Sequence, residues 1–235
     1  MEKKRMLWYD RRNGTLNHSA LGSGAVPPVP SNTVSCRKGL ETNMNYTEKM
    51  LSREELYQGR IIHVYKDTVQ LSDGSVTLRE VVDHPGGVTV IPVDEAGNVY
   101  CVRQFRYPYA EHVLETPAGK LEPGEDPLEC AMRELSEETG FTAAHYTYLG
   151  SLYPSPGYCR EILHIYLATG LKSGKMHLDA GEFLDVEKYS LDALVRLAMN
   201  NELKDAKTVV GILKAKLWLA EHNGGTPDGT ENSDR

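Results

Sequence analysis

Gly119-Lys-Leu-Glu-Pro-Gly-Glu125-Asp-Pro-Leu-Glu-Cys-Ala-Met-Arg133-Glu134-Leu135-Ser-Glu137-Glu138-Thr-Gly140-Phe141 carries a helix start, a helix stop and a cluster of carboxylates within 23 residues. Asp126 before Pro127 is the start: the aspartate oxygen accepts an N–H of the first turn, and proline needs no partner there. Gly140 is the stop, because glycine takes up the left-handed conformation that ends helices without a steric penalty. A helix over 126–139 sets Glu134 and Glu138 one turn apart on one face, with Glu137 beside them. Like charges at this spacing cost about a few tenths of a kcal/mol each, so something cationic is expected among them. Carboxylate oxygens suit Mg²⁺ or Mn²⁺, hard ions that act alongside substrate phosphates. Leu128, Ala131 and Leu135 supply an apolar stripe to seat the helix on a sheet. A solvated acidic face is the competing reading of any glutamate-rich helix taken alone.

Upstream, residues 60–71 are rich in Ile, Val, Tyr and Thr, Ser72-Asp73-Gly74 is a turn signal, and 75–82 is strand-like again, which predicts a hairpin. Residues 88–93, 99–105 and 113–115 predict further strands, the first two joined by the turn Asp94-Glu95-Ala96-Gly97-Asn98. Downstream, 146–153 and 161–168 predict two strands around a Pro-Gly loop. Ser190 caps a helix running to about Asn200, and Asp205 caps another running to about Glu221. Strands on both sides of a central helix, followed by two late helices, indicate a mixed α/β domain.

With 235 residues, 40% of them hydrophobic, the chain fits one medium domain plus some unpatterned length. Its net charge of −7 offers no basic field for nucleic acid, so an anionic ligand needs local help from metal ions or a few arginines. Residues 1–43 carry +4 and the remainder −11. Residues 14–42 are rich in Gly, Ser, Pro and Asn, follow no period and are expected to be disordered. The region 1–43 is then either a flexible arm or a spurious extension ahead of a native start at Met44. The tail from Asn223 is polar and expected to be mobile. Four widely spaced cysteines read as reduced thiols, and the histidines lack zinc-site spacing. There is no bilayer-length apolar run and no signal-peptide apolar stretch at the start, so a cytoplasmic location and no membrane partner are expected.

The quoted stretch matches every defined position of the signature G-x5-E-x7-R-E-U-x-E-E-x-G-U, where U is apolar. By average residue usage, a chance match in a chain this long is on the order of 10⁻⁷. The sequence thus resembles the Nudix hydrolases, and its flanks from about Leu56 to Leu217 resemble their ADP-ribose pyrophosphatase branch. The resemblance implies an α/β/α sandwich with a mixed sheet and an N-terminal β-hairpin subdomain. It divides the chain into 44–84, strands with a role in dimerisation, and 85–222, the Nudix domain, with 1–43 and 223–235 outside the fold. It also implies a Mg²⁺ or Mn²⁺ site held by Glu134, Glu138 and the carbonyl of Ala118. Arg133 is implied to orient the neighbouring glutamates, and Glu137 to bind metal directly or through water.

For substrate, Ser155-Pro156-Gly157-Tyr158 resembles the proline loop that marks the ADP-ribose and ADP-sugar branch. Arg79-Glu80, Gln104-Phe105-Arg106 and Glu115-Thr116-Pro117-Ala118-Gly119 resemble segments that hold adenine, diphosphate and terminal ribose. The implied reaction is metal-dependent hydrolysis of ADP-ribose to AMP and ribose 5-phosphate, by a homodimer that binds neither nucleic acid nor membrane. Another ADP-sugar, NADH or an oxidised nucleotide is the alternative substrate, and a non-catalytic ligand-sensing Nudix domain the alternative class. One departure stands out. The branch carries two loop acids one position apart, a catalytic base and a metal-binding partner. Here the stretch is Leu178-Asp179-Ala180-Gly181-Glu182-Phe183, so Glu182 fits the second acid while Ala180 occupies the place of the first. Glu182, Glu137 or a shifted Asp179 is left to serve as base.

Overall fold

The structure, a computed structural model, describes residues 8–10, 15–17, 46–178 and 181–222. It divides into two units, Met1–Asn45 and Tyr46–Arg235. In the first, β1 (Trp8–Asp10) pairs antiparallel with β2 (Thr15–Asn17). Thr15–Asn17 falls in the stretch expected to be disordered; the other residues of 1–45, and the tail 223–235, lie outside the described residues.

In the second unit, β6 (Gly87–Pro92) is buried at every position. Its run of Val, Thr and Ile has no polar alternation because both faces are covered. β6 pairs in parallel with β11 (Leu163–Ser173) and antiparallel with β9 (Ala118–Lys120), while β10 (Phe141–Leu152) pairs antiparallel with β11. The result is a mixed sheet in the order β10-β11-β6-β9. Side chains alternate across it. Val88, Val90, Tyr166 and Ala168 pack with Cys130, Ala131 and Leu135 of α1 (Pro127–Thr139). Ile91, Ile165 and Leu167 cluster with Leu194 of α2 (Leu191–Met199) and with Ile212 and Ala215 of α3 (Ala206–His222). The helices therefore cover both faces, the expected α/β/α arrangement. Gly211 lets α3 approach closely, since a Cβ there would lie 2.8 Å from Ile91 Cδ1.

The helix signals hold at the level of atoms. Asp126 accepts from Leu128 N at 2.8 Å, Pro127 opens the helix, and Gly140 ends it at φ 71°. Ser190 accepts from Ala193 N, and Asp205 from Thr208 N. The seating of α1 differs from the expected stripe: Leu128 is 38% exposed, while Cys130, Ala131, Leu135 and Glu138 are buried. At 100° per residue, a face centred between Cys130 and Leu135 leaves Leu128 at its edge and carries Glu138 inward.

Two smaller sheets complete the unit. β12 (Leu184–Ser190), β7 (Asn98–Arg106) and β8 (Glu111–Glu115) form one, and β3 (Lys49–Gln58), β4 (His63–Gln70) and β5 (Val76–Asp83) the other. The hairpin β4–β5 turns at Ser72-Asp73-Gly74 as expected, with Asp73 accepting from Ser75 N. β9 and β12 lie where no strand was expected, and β3, within the 44–84 region given to strands, has no local pattern of its own. β3 is exposed at all ten positions and so shows no alternation. β9 is only three residues long. β12 is held to β7 partly by an ion pair, Arg103–Glu187 at 2.5 Å. Among the described residues, no helix is long and apolar enough to cross a membrane.

Candidate active site

α1 and the segment 115–119 form one side-chain assembly. Glu138 turns inward, is 4% exposed, and accepts a hydrogen bond from Ala118 N at 3.0 Å. Burial, reinforced by the charges of Glu134 and Glu182, pushes its carboxyl up to about 8. Glu134 is raised as well, first by burial and then by Glu137 and Glu182, against the pull of Arg133. Glu182 on the loop after β11 is thus close enough for its charge to act on both helix carboxylates. Asp179 and Ala180, the other loop positions considered for the base, lie outside the described residues.

Arg133 is the hub of the outer rim. It donates to Glu125 at 2.9 and 3.1 Å, to Glu134 at 2.7 Å and to Glu137 at 2.9 Å, and reaches Lys120 O at 3.3 Å. Glu125 is held at about 2, chiefly by Arg133. One arginine serving three glutamates leaves the group strongly acidic. Among the described residues, no three carboxylate, imidazole or thiol groups converge on a single point. Glu134 is drawn toward Arg133 and Glu138 toward Ala118 N. The donor chemistry nonetheless fits a hard divalent cation: several carboxylates share few cations, and one of them is buried against its charge.

Gly119 is the cradle of this site. A Cβ there would meet Glu134 Oε1 at 1.8 Å and its carboxyl carbon at 1.9 Å, so only glycine leaves room for that carboxylate. The motif glycine is explained by this close approach of backbone and carboxylate.

Beside the acidic group, Arg106 donates to Glu115 through Nε at 2.5 Å and Nη2 at 2.6 Å. Glu115 is 1% exposed and is also gripped by Lys207 of α3. These two cations outweigh its burial and hold its carboxyl below the ordinary range. Arg106, whose side chain is 40% exposed, keeps Nη1 without a partner among the described residues. Its pKa is raised mainly by Glu115, with Glu138 contributing, which puts it within electrostatic reach of the helix carboxylates.

Arg79 and Glu80 do not join this group. They lie on β5, where Arg79 pairs with Glu48 at 2.6 Å. With Lys66, Leu78, Gly157 and Tyr158 they line a cavity of about 320 Å³. The Pro-Gly loop is tied there by Val82 N to Tyr158 O at 2.8 Å and Arg160 N to Val82 O at 2.9 Å. The structure thus brings together Ala118, Arg133, Glu134, Glu137 and Glu138, with Glu182 near enough for its charge to reach Glu134 and Glu138, places Arg106 and Glu115 beside them, and gathers Arg79 and Glu80 at the cavity beside the Pro-Gly loop. Sequence reasoning missed Gly119 as cradle, Lys207, the buried threonines Thr89 and Thr208, and the hydroxyl contacts of Thr116. The one available signal was Asp205, which marked the start of α3 but not what its first turn would reach.

Comparison with known proteins agrees with this architecture. Residues 83–209 match the NUDIX domain model, and residues 48–82 match that of the nucleoside diphosphate sugar hydrolase N-terminal domain. The chain belongs to the Nudix hydrolase family. It is 41% identical to an ADP-ribose pyrophosphatase of Bacillus subtilis (strain 168) over 167 residues, 70% of this chain and 90% of the relative. It is 38% identical to a methanol dehydrogenase activator of Bacillus methanolicus, covering 74% of this chain and 96% of that one. A crystal structure of an ADP compounds hydrolase shares the fold with a TM-score of 0.67 at 23% identity, over 74% of this chain and 95% of its own.

Proposed function

We propose that this protein hydrolyses the diphosphate of ADP-ribose, giving AMP and ribose 5-phosphate, with Mg²⁺ as its cation and Mn²⁺ as a substitute. The observation that carries this reading is the buried Glu138, pressed by Glu134 and Glu182 on a helix that matches the Nudix signature throughout. Glu134, Glu138 and the Ala118 backbone are the groups that would hold the cation, with Glu182 on the loop near enough for its charge to reach both glutamates. When bound, a divalent cation neutralises diphosphate charge and makes a water more acidic.

The chain's own residues do the rest. Arg133 fixes Glu134 and Glu137 in place. Arg106, locked to Glu115 by two of its nitrogens, is free to offer Nη1 to a phosphate oxygen. Glu182 and Glu137 are the carboxylates available to take the proton of the attacking water. Arg79 and Glu80, with the Pro-Gly loop, are assigned to the nucleoside end. The exposed β3, carrying Met50, Leu51, Leu56 and Tyr57 at its surface, supports a homodimer joined through residues 44–84.

A substrate panel tests the assignment. With Mg²⁺, kcat/KM for ADP-ribose is expected to exceed that for GDP-mannose, NADH and an oxidised nucleoside triphosphate by at least about 10-fold, the scale set by one or two lost polar contacts. A better rate on any of the others overturns the choice of substrate. No turnover on the whole panel overturns the enzymatic reading.

A further inference from the structure

The first turn of α3 reaches the catalytic segment through a buried chain of hydroxyls. Thr208 Oγ1 donates to Asp205 at 2.5 Å. That bond uses the one hydrogen of the Thr208 hydroxyl. Thr208 oxygen must accept, which it does from Thr116 N at 2.8 Å and from Thr116 Oγ1 at 3.2 Å. Thr116 oxygen then accepts from Thr89 Oγ1 at 2.7 Å, whose one hydrogen is shared with Pro117 O at 3.2 Å. All three threonines are fully buried. Two residues beyond Thr116, Ala118 N holds Glu138. Between them Pro117 O is fixed by Val90 N at 2.8 Å.

Lys207, one residue before Thr208, adds a second grip. Its side chain is 11% exposed, and its ammonium pairs with Glu115 and, at 3.0 Å, with Asp205. The segment 115–118 is thus held at Glu115 by charge, at Thr116 by two hydrogen bonds to one hydroxyl, and at Pro117 by the central strand. None of these contacts is made by Glu134 or Glu138 themselves. Their common effect is to fix the backbone that faces Glu138 and Glu134.

We infer that Lys207 and Thr208 are positioning residues, a clamp from the start of α3 that fixes the Ala118 backbone against Glu138 and so sets how tightly the protein holds its divalent cation. This inference rests on the metal-dependent reading above. Outer groups that orient metal ligands commonly alter affinity by about 10- to 100-fold when removed. Thr208→Val keeps the shape and deletes the hydroxyl, leaving Thr116 N–H and Oγ1 without their acceptor. Thr208→Ser keeps the hydroxyl. Lys207→Met removes the charge and leaves the hydroxyl chain intact.

The experiment is Mn²⁺ binding to the full chain without substrate, followed by the electron paramagnetic resonance of free Mn²⁺, with near-ultraviolet circular dichroism as the check of folding. Thr208→Val is expected to weaken Mn²⁺ binding by about 10-fold, and Thr208→Ser to stay within about twofold of wild type. Lys207→Met, which decides the matter if Thr208→Val does not fold, is expected to weaken binding by at least about threefold. Unchanged Mn²⁺ affinity in a folded Thr208→Val or Lys207→Met protein, with wild type binding normally, overturns the clamp alone. A wild type that binds no Mn²⁺ overturns the metal reading and the clamp together.

Discussion

Gly119 and Glu134 share a space that has no room for a methyl group: a Cβ on the glycine would sit 1.8 Å from the glutamate's Oε1. The clashing atoms belong to the free end of a flexible side chain, so Gly119→Ala can be absorbed by swinging the carboxylate aside. The expected result is a functional loss out of proportion to the structural one. A displacement of about 1 Å in a catalytic group can cost about 100-fold in rate, so kcat should fall on that scale while the melting temperature shifts by only a few degrees. A near-native rate in Gly119→Ala would mean that Glu134 has no fixed role.

Glu138→Gln should separate activity from stability in the opposite sense. The substitution keeps shape and the acceptor for Ala118 N, but removes a charge buried beside Glu134 and Glu182. Turnover should drop by orders of magnitude. The metal-free variant should melt higher than metal-free wild type at pH 8. Folding raises the Glu138 carboxyl from 4.5 to about 8, so between these values the folded state binds more protons than the unfolded one. Stability from this group is therefore lost as pH rises through that window. Melting curves of both metal-free proteins from pH 5 to 9 check this: the gap should widen up to about pH 8 and then level off, and a gap that is constant or narrows below pH 8 refutes the burial of a repelled charge.

Glu115→Gln tests the grip on the catalytic segment from a different side. Removing the buried carboxylate takes away the counter-charge of Arg106 and leaves Lys207 with Asp205 alone. Breaking a fully buried pair costs about 3–5 kcal/mol, and the partial exposure of Arg106 reduces this to about 2–3 kcal/mol. Chemical denaturation should show that loss, and KM for ADP-ribose should rise because Arg106 is no longer held. Native stability in this variant would contradict the side-chain geometry.

The loop acids can be ranked by one set of rates. Glu182→Gln should lower kcat far more than it raises KM, Asp179→Asn should be mild, and Ala180→Glu should raise kcat by restoring a proton acceptor. If Glu182→Gln turns over normally, the base is sought at Glu137.

Much of this architecture was legible in the sequence because local chemistry decided it. Asp126, Pro127 and Gly140 mark α1 through groups that act within one turn, and β6 declares its two-sided burial by its unbroken apolar run. The carboxylates of α1 were legible for the same reason, since helical spacing alone puts Glu134, Glu137 and Glu138 together. β3 was not, because a strand exposed along its whole length has no burial period to leave in its sequence. Nor was the outward turn of Leu128, which follows from how α1 lies on β6. The grip of Lys207 and Thr208 on residues 115 and 116 joins positions 92 apart. No spacing rule connects such residues; only the packing of α3 against β6 does.

The most direct test of metal-dependent hydrolysis is to separate and quantify the products formed from ADP-ribose by the full chain, with Mg²⁺ present and again with excess EDTA. AMP and ribose 5-phosphate are expected in equal amounts with Mg²⁺, and neither with EDTA. Equal turnover in EDTA, or cleavage that leaves the diphosphate intact, would contradict that reading.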